Sequence, residues 1–212
     1  MKLIRLIIFI FFMLIVLLKL PAQTTIHPKI AFVGYHPFTE TNRHLFENNI
    51  DYNKTFVIEP MVMVSIETML RDDSFSWRIM PGFYTDAASK PAFFIHAGLK
   101  LRLFQSWRHS LHLAAGGALL GRQRWNTIPG YICESTHNPN GRFEYRFEPF
   151  GELEYTIFVA KKGDITLSAL YGYQHKSFTF TIGYRYWLST TLKHPSTCGN
   201  CPFQKSAKKY RN

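Results

Sequence analysis

Recognisable catalytic motifs are missing from this sequence. It contains no His-Glu-x-x-His, no Gly-x-Ser-x-Gly and no glycine-rich phosphate loop, so the common metalloprotease, hydrolase and nucleotide-binding sites lack their residues. Its nine histidines are scattered along the chain, and a lone histidine at a strand end is usually polar surface. The sequence therefore predicts no metal site and no cofactor.

Cysteine is also scarce, with three residues among 212. Cys198 and Cys201 stand at redox or metal spacing, but no second Cys or His pair accompanies them, so the zinc signal is weak. In an oxidising compartment a local disulfide is the simpler interpretation of such a pair. We therefore predict a disulfide between Cys198 and Cys201.

Only one uninterrupted apolar run exceeds ten residues, and it spans residues 6–18. Lys2 and Arg5 precede it, as in the positive start of a secretory signal peptide. The run is short for a membrane-spanning helix. We therefore predict that residues 1–22 are a signal peptide cleaved after Ala22.

The formal charge of +11 is concentrated at the two ends of the chain. Three cations fall in the predicted signal peptide and five in residues 189–212, where there is no acid. These eight cations account for eight of the eleven net charges, so residues 23–188 are nearly balanced at +3. An exported and nearly balanced body is not expected to bind nucleic acid. Residues 189–212 are predicted to form a flexible basic tail.

Alternation over residues 143–159 indicates an unusually long strand. One face of this stretch is aromatic and aliphatic, and the other carries Glu144, Arg146, Glu148, Glu152 and Glu154. A period of two places successive side chains on opposite faces of a strand. Ordinary strands have about 5 or 6 residues, whereas a strand that crosses a bilayer needs roughly 9 to 11. The stretch therefore predicts a membrane β-barrel.

The same alternation divides the chain into eight strands. We predict them at residues 30–36, 55–70, 75–84, 91–103, 110–125, 143–159, 165–173 and 178–188. Proline and glycine within the third and sixth strands predict bends or bulges. An even strand number, with short and long connections at opposite rims, is typical of outer-membrane barrels. The chain is thus predicted to be all-β, with residues 23–188 forming an eight-stranded antiparallel up-and-down transmembrane β-barrel in the bacterial outer membrane, both termini periplasmic.

Alternation alone does not show which face is polar on the outside of the barrel. A soluble lipocalin-like barrel has the same pattern, but its apolar face points inwards, whereas that of a membrane barrel points outwards. The more polar face carries small residues at mid-strand, including Gly82, Gly98, Gly116, Gly172 and Gly183. Residues on a solvated exterior do not need to be this small, whereas the interior of an eight-stranded barrel has little room for larger side chains. The sequence therefore favours a membrane barrel over a soluble one.

Charged residues of both signs fall on the predicted lumen face. Buried charges must be paired, so we predict an ion-pair network that plugs the lumen. Ion or proton conduction is the less favoured alternative, because eight strands leave no open pore. The predicted network comprises Glu59, Glu67, Arg78, Lys100, Arg102, Arg122, Arg124, Glu144, Arg146, Glu148, Glu152, Glu154 and Arg185.

Residues 122–129, Arg-Gln-Arg-Trp-Asn-Thr-Ile-Pro, resemble a stretch of the lipid A palmitoyltransferase family. That family has Arg, Trp, Asn, Ile and Pro in the same relative positions, in an eight-stranded outer-membrane barrel whose lumen holds an acyl chain. The resemblance implies acyl transfer to an envelope lipid by a His near the first outer loop and an Asp-Ser pair in the next. His36 and Asp86 are the candidates here, but Ala87 follows Asp86, so Ser89 would have to replace the serine.

A layer of small residues gives the acyltransferase interpretation a second argument. Glycines at mid-lumen, flanked by Met61, Met63 and Met80, could leave a narrow slot for a hydrocarbon chain. The alternative is that methionine and glycine simply complement each other in a packed interior. The sequence leaves both interpretations open.

Strand order and loop lengths also resemble the TraO-type proteins of conjugative transposons, small exported barrels without a known catalytic motif. Because no complete catalytic set is present, we favour a structural or interaction role with the outer loops as contact surfaces. The alternatives are an acyltransferase and an outer-membrane component of a conjugal transfer apparatus. Besides bilayer lipid, the candidate partners are an envelope lipid or a periplasmic or extracellular protein.

Overall fold

A computed structural model of the chain contains one closed sheet. The structure describes residues 24–38, 41–71, 74–106, 108–132, 142–160, 163–173 and 176–188. Its strands are β1 (Thr24–Tyr35), β2 (Phe56–Arg71), β3 (Phe75–Thr85), β4 (Pro91–Ser106), β5 (His109–Gln123), β6 (Phe143–Ala160), β7 (Gly163–Gly172) and β8 (Ser177–Trp187). A three-residue 3-10 helix, Arg43–Leu45, lies between β1 and β2.

Each strand pairs antiparallel with the next one in sequence, and β1 closes the sheet by pairing with β8. The predicted eight-stranded up-and-down barrel is therefore confirmed. Within the described parts of the chain, no helix is long and apolar enough to cross a membrane.

Burial along the strands is the reverse of that in a soluble barrel. Large apolar side chains point outwards, with Val62 exposed by 60%, Phe83 by 72% and Phe147 by 69%. Arg78 and Arg185 point inwards and are fully buried. An apolar exterior of this extent requires contact with lipid. The barrel is therefore transmembrane, as predicted, and the soluble alternative is wrong.

The connections divide the barrel into two rims. Residues 72–74, 107–108 and 161–162 connect strands at one end, the short-turn rim, where β1 begins and β8 ends. Residues 36–55, 86–90, 124–142 and 173–176 connect them at the other end, the long-loop rim. This asymmetry is the one expected of an outer-membrane barrel. The periplasmic location of the short-turn rim remains a prediction.

β1 is longer than predicted, because it begins at Thr24 instead of residue 30. The added residues alternate weakly, since their exterior face contains Pro28 and only one large apolar side chain, Ile26, before the predicted start. They nevertheless pair with β2 and bring His27 and Lys29 into the lumen, both buried. The correction therefore adds two titratable groups to the interior.

Other strand ends also differ from the prediction, most of them by one or two residues. β4 continues to Ser106, and β7 begins at Gly163, so Asp164 belongs to a strand and is buried in the lumen instead of lying in a turn. The pairing register is continuous at Pro81 and Pro149, so the prediction of bulges at these two sites is wrong. A proline removes one N–H donor without inserting a residue, and both rings point outwards.

Several predictions concern residues that the structure does not describe. The signal peptide at residues 1–22, the tail at residues 189–212 and the disulfide between Cys198 and Cys201 all lie outside the described residues. They remain predictions.

Candidate functional site

The lumen beside the short-turn rim is filled by ionic side chains, which we call the inner cluster. Glu154 accepts hydrogen bonds from Lys29 Nζ at 2.7 Å, from Lys100 Nζ at 2.6 Å and from the guanidinium of Arg185. Lys100 Nζ also lies 3.0 Å from a carboxylate oxygen of Glu67. The full inner cluster comprises Lys29, Glu67, Arg78, Lys100, Glu152, Glu154, Asp164 and Arg185.

The inner cluster contains four carboxylates and four cations, all buried. Equal numbers of opposite charges allow each buried ion to be compensated. His27, Glu67 and Glu154 have metal-ligand spacing, but Lys29 and Arg185 pair with the same carboxylates. A metal ion there would be repelled by these cations. The carboxylates of the inner cluster are therefore paired with cations of the chain itself.

An apolar layer separates the inner cluster from the long-loop half of the lumen. The aromatic ring of Phe94 and the side chain of Met63 occupy the space over Gly82. Gly98 and Gly116 are filled differently, because each faces the backbone of the neighbouring strand. The slot proposed for a hydrocarbon chain is therefore filled at this level. The layer comprises Ala31, Met61, Met63, Met80, Phe94, Leu120 and Leu170.

Above the apolar layer lies a cavity of about 90 Å³, the outer cavity. This is smaller than the roughly 150 Å³ of an engineered cavity that holds benzene, so it fits only a few non-hydrogen atoms. Its lining combines charged or titratable groups with aromatic rings. These are His36, Glu59, Asp86, Arg122 and Glu148, together with Phe46, Tyr84, Phe94, Trp125 and Phe150.

Charged groups around the outer cavity are joined in pairs. His36 Nε2 lies 3.4 Å from Glu59 Oε2. Arg122 Nη2 lies 3.4 Å from Glu144 Oε2, and Arg146 pairs with the same carboxylate. Glu144 is thus shared by two guanidinium groups, and it lies behind the lining of the cavity.

The first three outer loops fold over the outer cavity as one unit, the loop cap, which comprises residues 41–55, 86–90 and 124–132. Asn42 and Ile132 exchange two hydrogen bonds, at 2.9 and 2.8 Å, between the first and third loops. Trp125 Nε1 donates to Asp86 Oδ2 at 2.6 Å, which joins the third loop to the second. The apolar core beneath these bonds is Phe46, Val57, Ala87, Ala88 and Trp125.

Asp86 organises the second loop. Its Oδ1 accepts the backbone N–H groups of Ala88 at 3.1 Å and Lys90 at 2.8 Å. Burial raises the pKa of Asp86 above its ordinary value, and the hydrogen bond from Trp125 opposes that rise. Both oxygens of this carboxylate therefore accept hydrogen bonds that hold the loop cap together.

The first loop ends in a hairpin whose turn is built around Asp51. Ile50 N donates to Phe56 O at 2.8 Å, which extends the pairing beyond β2. Asp51 accepts from the Thr55 hydroxyl at 2.6 Å and from Phe56 N at 2.7 Å. These bonds lower the pKa of Asp51 to about 2. Tyr52 stands at the tip of the hairpin and is fully exposed.

We expect acid to loosen this turn. Because the pKa of Asp51 is lower in the fold than its free value of 3.8, the carboxylate stabilises the turn above that pH and ceases to do so as the pH falls towards 2. Amide hydrogen exchange at Phe56 should therefore accelerate, relative to amides within β2, as the pH is lowered through this range. Asp51→Asn should remove this pH dependence. An equally protected Phe56 amide at both pH values would contradict the role of Asp51.

The predicted catalytic residues are only partly brought together. His36 and Asp86 both line the outer cavity. Ser89 is not among the described lining residues, and its Oγ accepts a hydrogen bond from Asn48 Nδ2 at 2.8 Å. Asp86 Oδ2 is occupied by Trp125.

Most predicted network residues lie in the lumen, in two groups. Glu67, Arg78, Lys100, Glu152, Glu154 and Arg185 belong to the inner cluster, and Glu59, Arg122, Glu144, Arg146 and Glu148 lie around the outer cavity. Arg102 lies elsewhere, and donates to Ser74 Oγ at 3.3 Å near the short-turn rim. Arg124 is half-buried where the third loop begins.

Sequence reasoning missed Lys29 and Asp164. Lys29 stands one residue before the predicted first strand, and two-residue alternation extended backwards through Ala31 would have placed it in the lumen. Asp164 follows a glycine that was assigned to a turn. Trp187 Nε1 donates to Asp164 Oδ2 at 2.9 Å, a contact between two strands that no local pattern reveals.

Solved structures with the same architecture include small membrane barrels. Neisserial surface protein A is 9% identical over 77% of this chain and 96% of its own, with a TM-score of 0.50. The N-terminal β-barrel domain of Pseudomonas aeruginosa OprF is 10% identical over 79% of this chain and 99% of its own, with a TM-score of 0.49. A de novo designed transmembrane β-barrel is 9% identical over 80% of this chain and 98% of its own, with a TM-score of 0.48.

At such low identity the comparison concerns the fold alone. A closed antiparallel barrel with an apolar exterior is the form in which chains cross the bacterial outer membrane, so the predicted location is confirmed. No protein-family model matches the sequence, and no curated protein matches it. The resemblances to lipid A palmitoyltransferases and to TraO-type proteins therefore gain no support from these comparisons.

Proposed function

We propose that this outer-membrane barrel has an interaction role, and that its loop cap contacts an extracellular protein. The observation that carries the proposal is an ordered cap with apolar side chains on its outer surface. Ile50 is exposed by 59% and Tyr52 by 100%, and both belong to the hairpin held by Asp51. Large apolar groups on a preordered surface are typical of protein contacts, because little entropy is lost on binding.

Anchoring of the hairpin supports this role. Lys54 Nζ donates to the carbonyl oxygens of His44 at 2.9 Å and Phe46 at 3.1 Å, and Phe46 is buried in the core of the loop cap. The tip that presents Tyr52 is thus tied to the barrel through the cap. Phe38 and Ile132 add further exposed apolar surface at the long-loop rim.

The filled lumen supports an interaction role over a channel. The inner cluster has equal numbers of carboxylates and cations, and the apolar layer covers it on the side of the loops. An ion crossing the barrel would have to displace compensated buried charges and then cross an apolar constriction.

Photo-crosslinking on intact cells tests the contact surface. A benzophenone amino acid replacing Tyr52 should give a discrete protein adduct, because this side chain stands at the tip of the hairpin. The matched control places the same group at Phe104, an aromatic side chain that is exposed by 58% near the short-turn rim. We expect a protein adduct from position 52 and lipid adducts alone from position 104. Folded protein that gives no protein adduct at position 52 would contradict the proposal.

Acyl transfer is the second candidate, because His36 and Asp86 line one cavity. Against it stand the small volume of that cavity and the engagement of Asp86 by Trp125. Mass spectrometry of envelope lipids should differ by one acyl chain between wild type and His36→Ala if this candidate is correct. A role in conjugal transfer rests on layout alone, and unchanged transfer frequency in a deletion strain would remove it.

A further inference from the structure

We propose that the outer cavity binds a small neutral amide group of the acetamido type. This site lies in the lumen beneath the loop cap and is distinct from the contact surface proposed above. Recognition comes from an apolar floor, from hydroxyl groups that have no partner in the chain, and from a wall whose charges are already compensated.

The charged and titratable groups on the cavity wall favour a neutral ligand. These groups are His36, Glu59, Asp86, Arg122 and Glu148. His36 and Glu59 lie beside each other, with 3.4 Å between Nε2 and Oε2. The other three also have partners in the structure. A ligand of either sign would be repelled by some of these groups and would compete for the existing pairs, whereas a neutral ligand leaves the pairs intact.

Three hydroxyl groups on the wall differ from these charges because they are not engaged. They belong to Tyr84, Ser177 and Thr179, which all line the cavity. In the part of the chain that the structure describes, none of these hydroxyls makes a hydrogen bond to another residue. A hydroxyl can both donate and accept a hydrogen bond. The wall therefore matches an amide, which offers an acceptor in its C=O and a donor in its N–H.

The floor of the cavity is apolar. Met61, Phe94, Leu120 and Leu170 belong to the apolar layer and also line the cavity. Ala118 lies among the same lining residues and is buried. An alkyl group that leaves water for this floor is stabilised by the hydrophobic effect. The ligand therefore has an apolar end on the floor and its amide beside the hydroxyls.

Volume and access fit an acetamido group. The cavity has about 90 Å³, and benzene occupies one of roughly 150 Å³, so there is room for about four non-hydrogen atoms. The cavity is half open. The apolar layer closes it from below, whereas Gly172 and Ser177, which line it at the ends of β7 and β8, are half-buried. The opening therefore faces the long-loop rim, and the remainder of a larger ligand can stay outside.

The test compares acetamide with two isosteres of opposite charge, acetate and acetamidinium, using the full chain folded in detergent micelles. Binding of so few atoms is expected to be weak, so it is followed by NMR. Trp125 lines the cavity, and its indole N–H resonance can be assigned with Trp125→Phe. We expect this resonance to shift saturably with acetamide and not with either charged isostere.

Two further titrations identify the molecule that carries the amide. N-acetylglucosamine and N-acetylglycinamide both present an acetamido group, the first on a sugar and the second on a peptide. Tighter binding of the sugar than of acetamide indicates an amino sugar, and tighter binding of the peptide indicates a protein segment. If neither binds more tightly than acetamide, the ligand is a free small amide.

Two variants separate hydrogen bonding from space. Tyr84→Phe removes one hydroxyl and should weaken acetamide binding by about fivefold. Ala118→Leu should abolish binding, because the added side chain fills the space above the floor. Tyr145→Phe is the matched control, since it removes the same hydroxyl from an exterior side chain that is 53% exposed, and it should bind acetamide as wild type does.

Each variant is first checked for folding by heat-modifiable migration on a gel. If Ala118→Leu does not fold, Tyr84→Phe still decides the question. The proposal would be overturned by acetate or acetamidinium binding as tightly as acetamide, by the lack of a saturable shift with acetamide, or by wild-type affinity in either folded cavity variant.

Discussion

Replacing Glu154 by glutamine should destabilise the barrel more than any other change of charge in the lumen. Its carboxylate is shared by Lys29, Lys100 and Arg185, and all of these groups are buried. Glu154→Gln would leave four cations facing three carboxylates in the inner cluster. Removing one partner of a buried ion pair costs about 3–5 kcal/mol, and we expect a loss in the free energy of unfolding of that size.

Urea unfolding of the protein in lipid vesicles, followed by heat-modifiable gel migration, measures this loss. Glu47→Gln is the matched control, because it removes the same charge from an exposed loop, and it should stay within about 0.5 kcal/mol of wild type. If Glu154→Gln unfolds at the same urea concentration as the control, the inner cluster does not stabilise the barrel as described.

Gly116→Ala should produce the second large effect, through backbone contact instead of charge. Gly116 pairs directly with Gly98 across β4 and β5. A Cβ atom at position 116 would collide with the backbone carbonyl of Ala97 and the Cα of Gly98. Backbone atoms of a closed sheet cannot move aside cheaply, so we expect a cost of about 1–3 kcal/mol or a failure to fold.

Gly151→Ala is the matched control for this substitution. Gly151 lies in β6 on the exterior, and a Cβ atom there would meet only the carbonyl oxygen of Ala114, at 4.0 Å. The same change should therefore leave urea unfolding close to wild type. Equal stability of the Gly116→Ala and Gly151→Ala proteins would show that the β4–β5 contact is not tight.

The fold was predictable because side chains along each strand of a membrane barrel alternate between the apolar exterior and the lumen. Buried and exposed side chains alternate along the central part of most strands, and the glycines at mid-strand identify the crowded side. The prediction started β1 too late, because Pro28 and Lys29 lie in a stretch whose exterior face has few large apolar side chains. In the structure this stretch belongs to the closed sheet, because β1 pairs with both β2 and β8. Closure of a sheet is a property of the whole chain that a local pattern does not express.

The loop cap was less predictable than the barrel. The bond from Trp125 to Asp86 joins residues that are 39 positions apart, and the bonds between Asn42 and Ile132 join residues that are 90 apart. Asp86 was predicted to be catalytic by resemblance, whereas in the structure its partners are Trp125 and two backbone N–H groups. The outer cavity exists because these distant contacts hold the loops over the lumen, so no spacing in the sequence identifies it.

The proposed function depends on a lumen that is closed to ions and on loops that make the contacts with other proteins. Electrical recording from the purified full chain in planar lipid bilayers tests it most directly. A lumen plugged by the inner cluster and covered by the apolar layer predicts no current steps above the baseline of the protein-free bilayer. Reproducible steps of ohmic current, proportional in number to the protein inserted, would contradict the account and favour a channel.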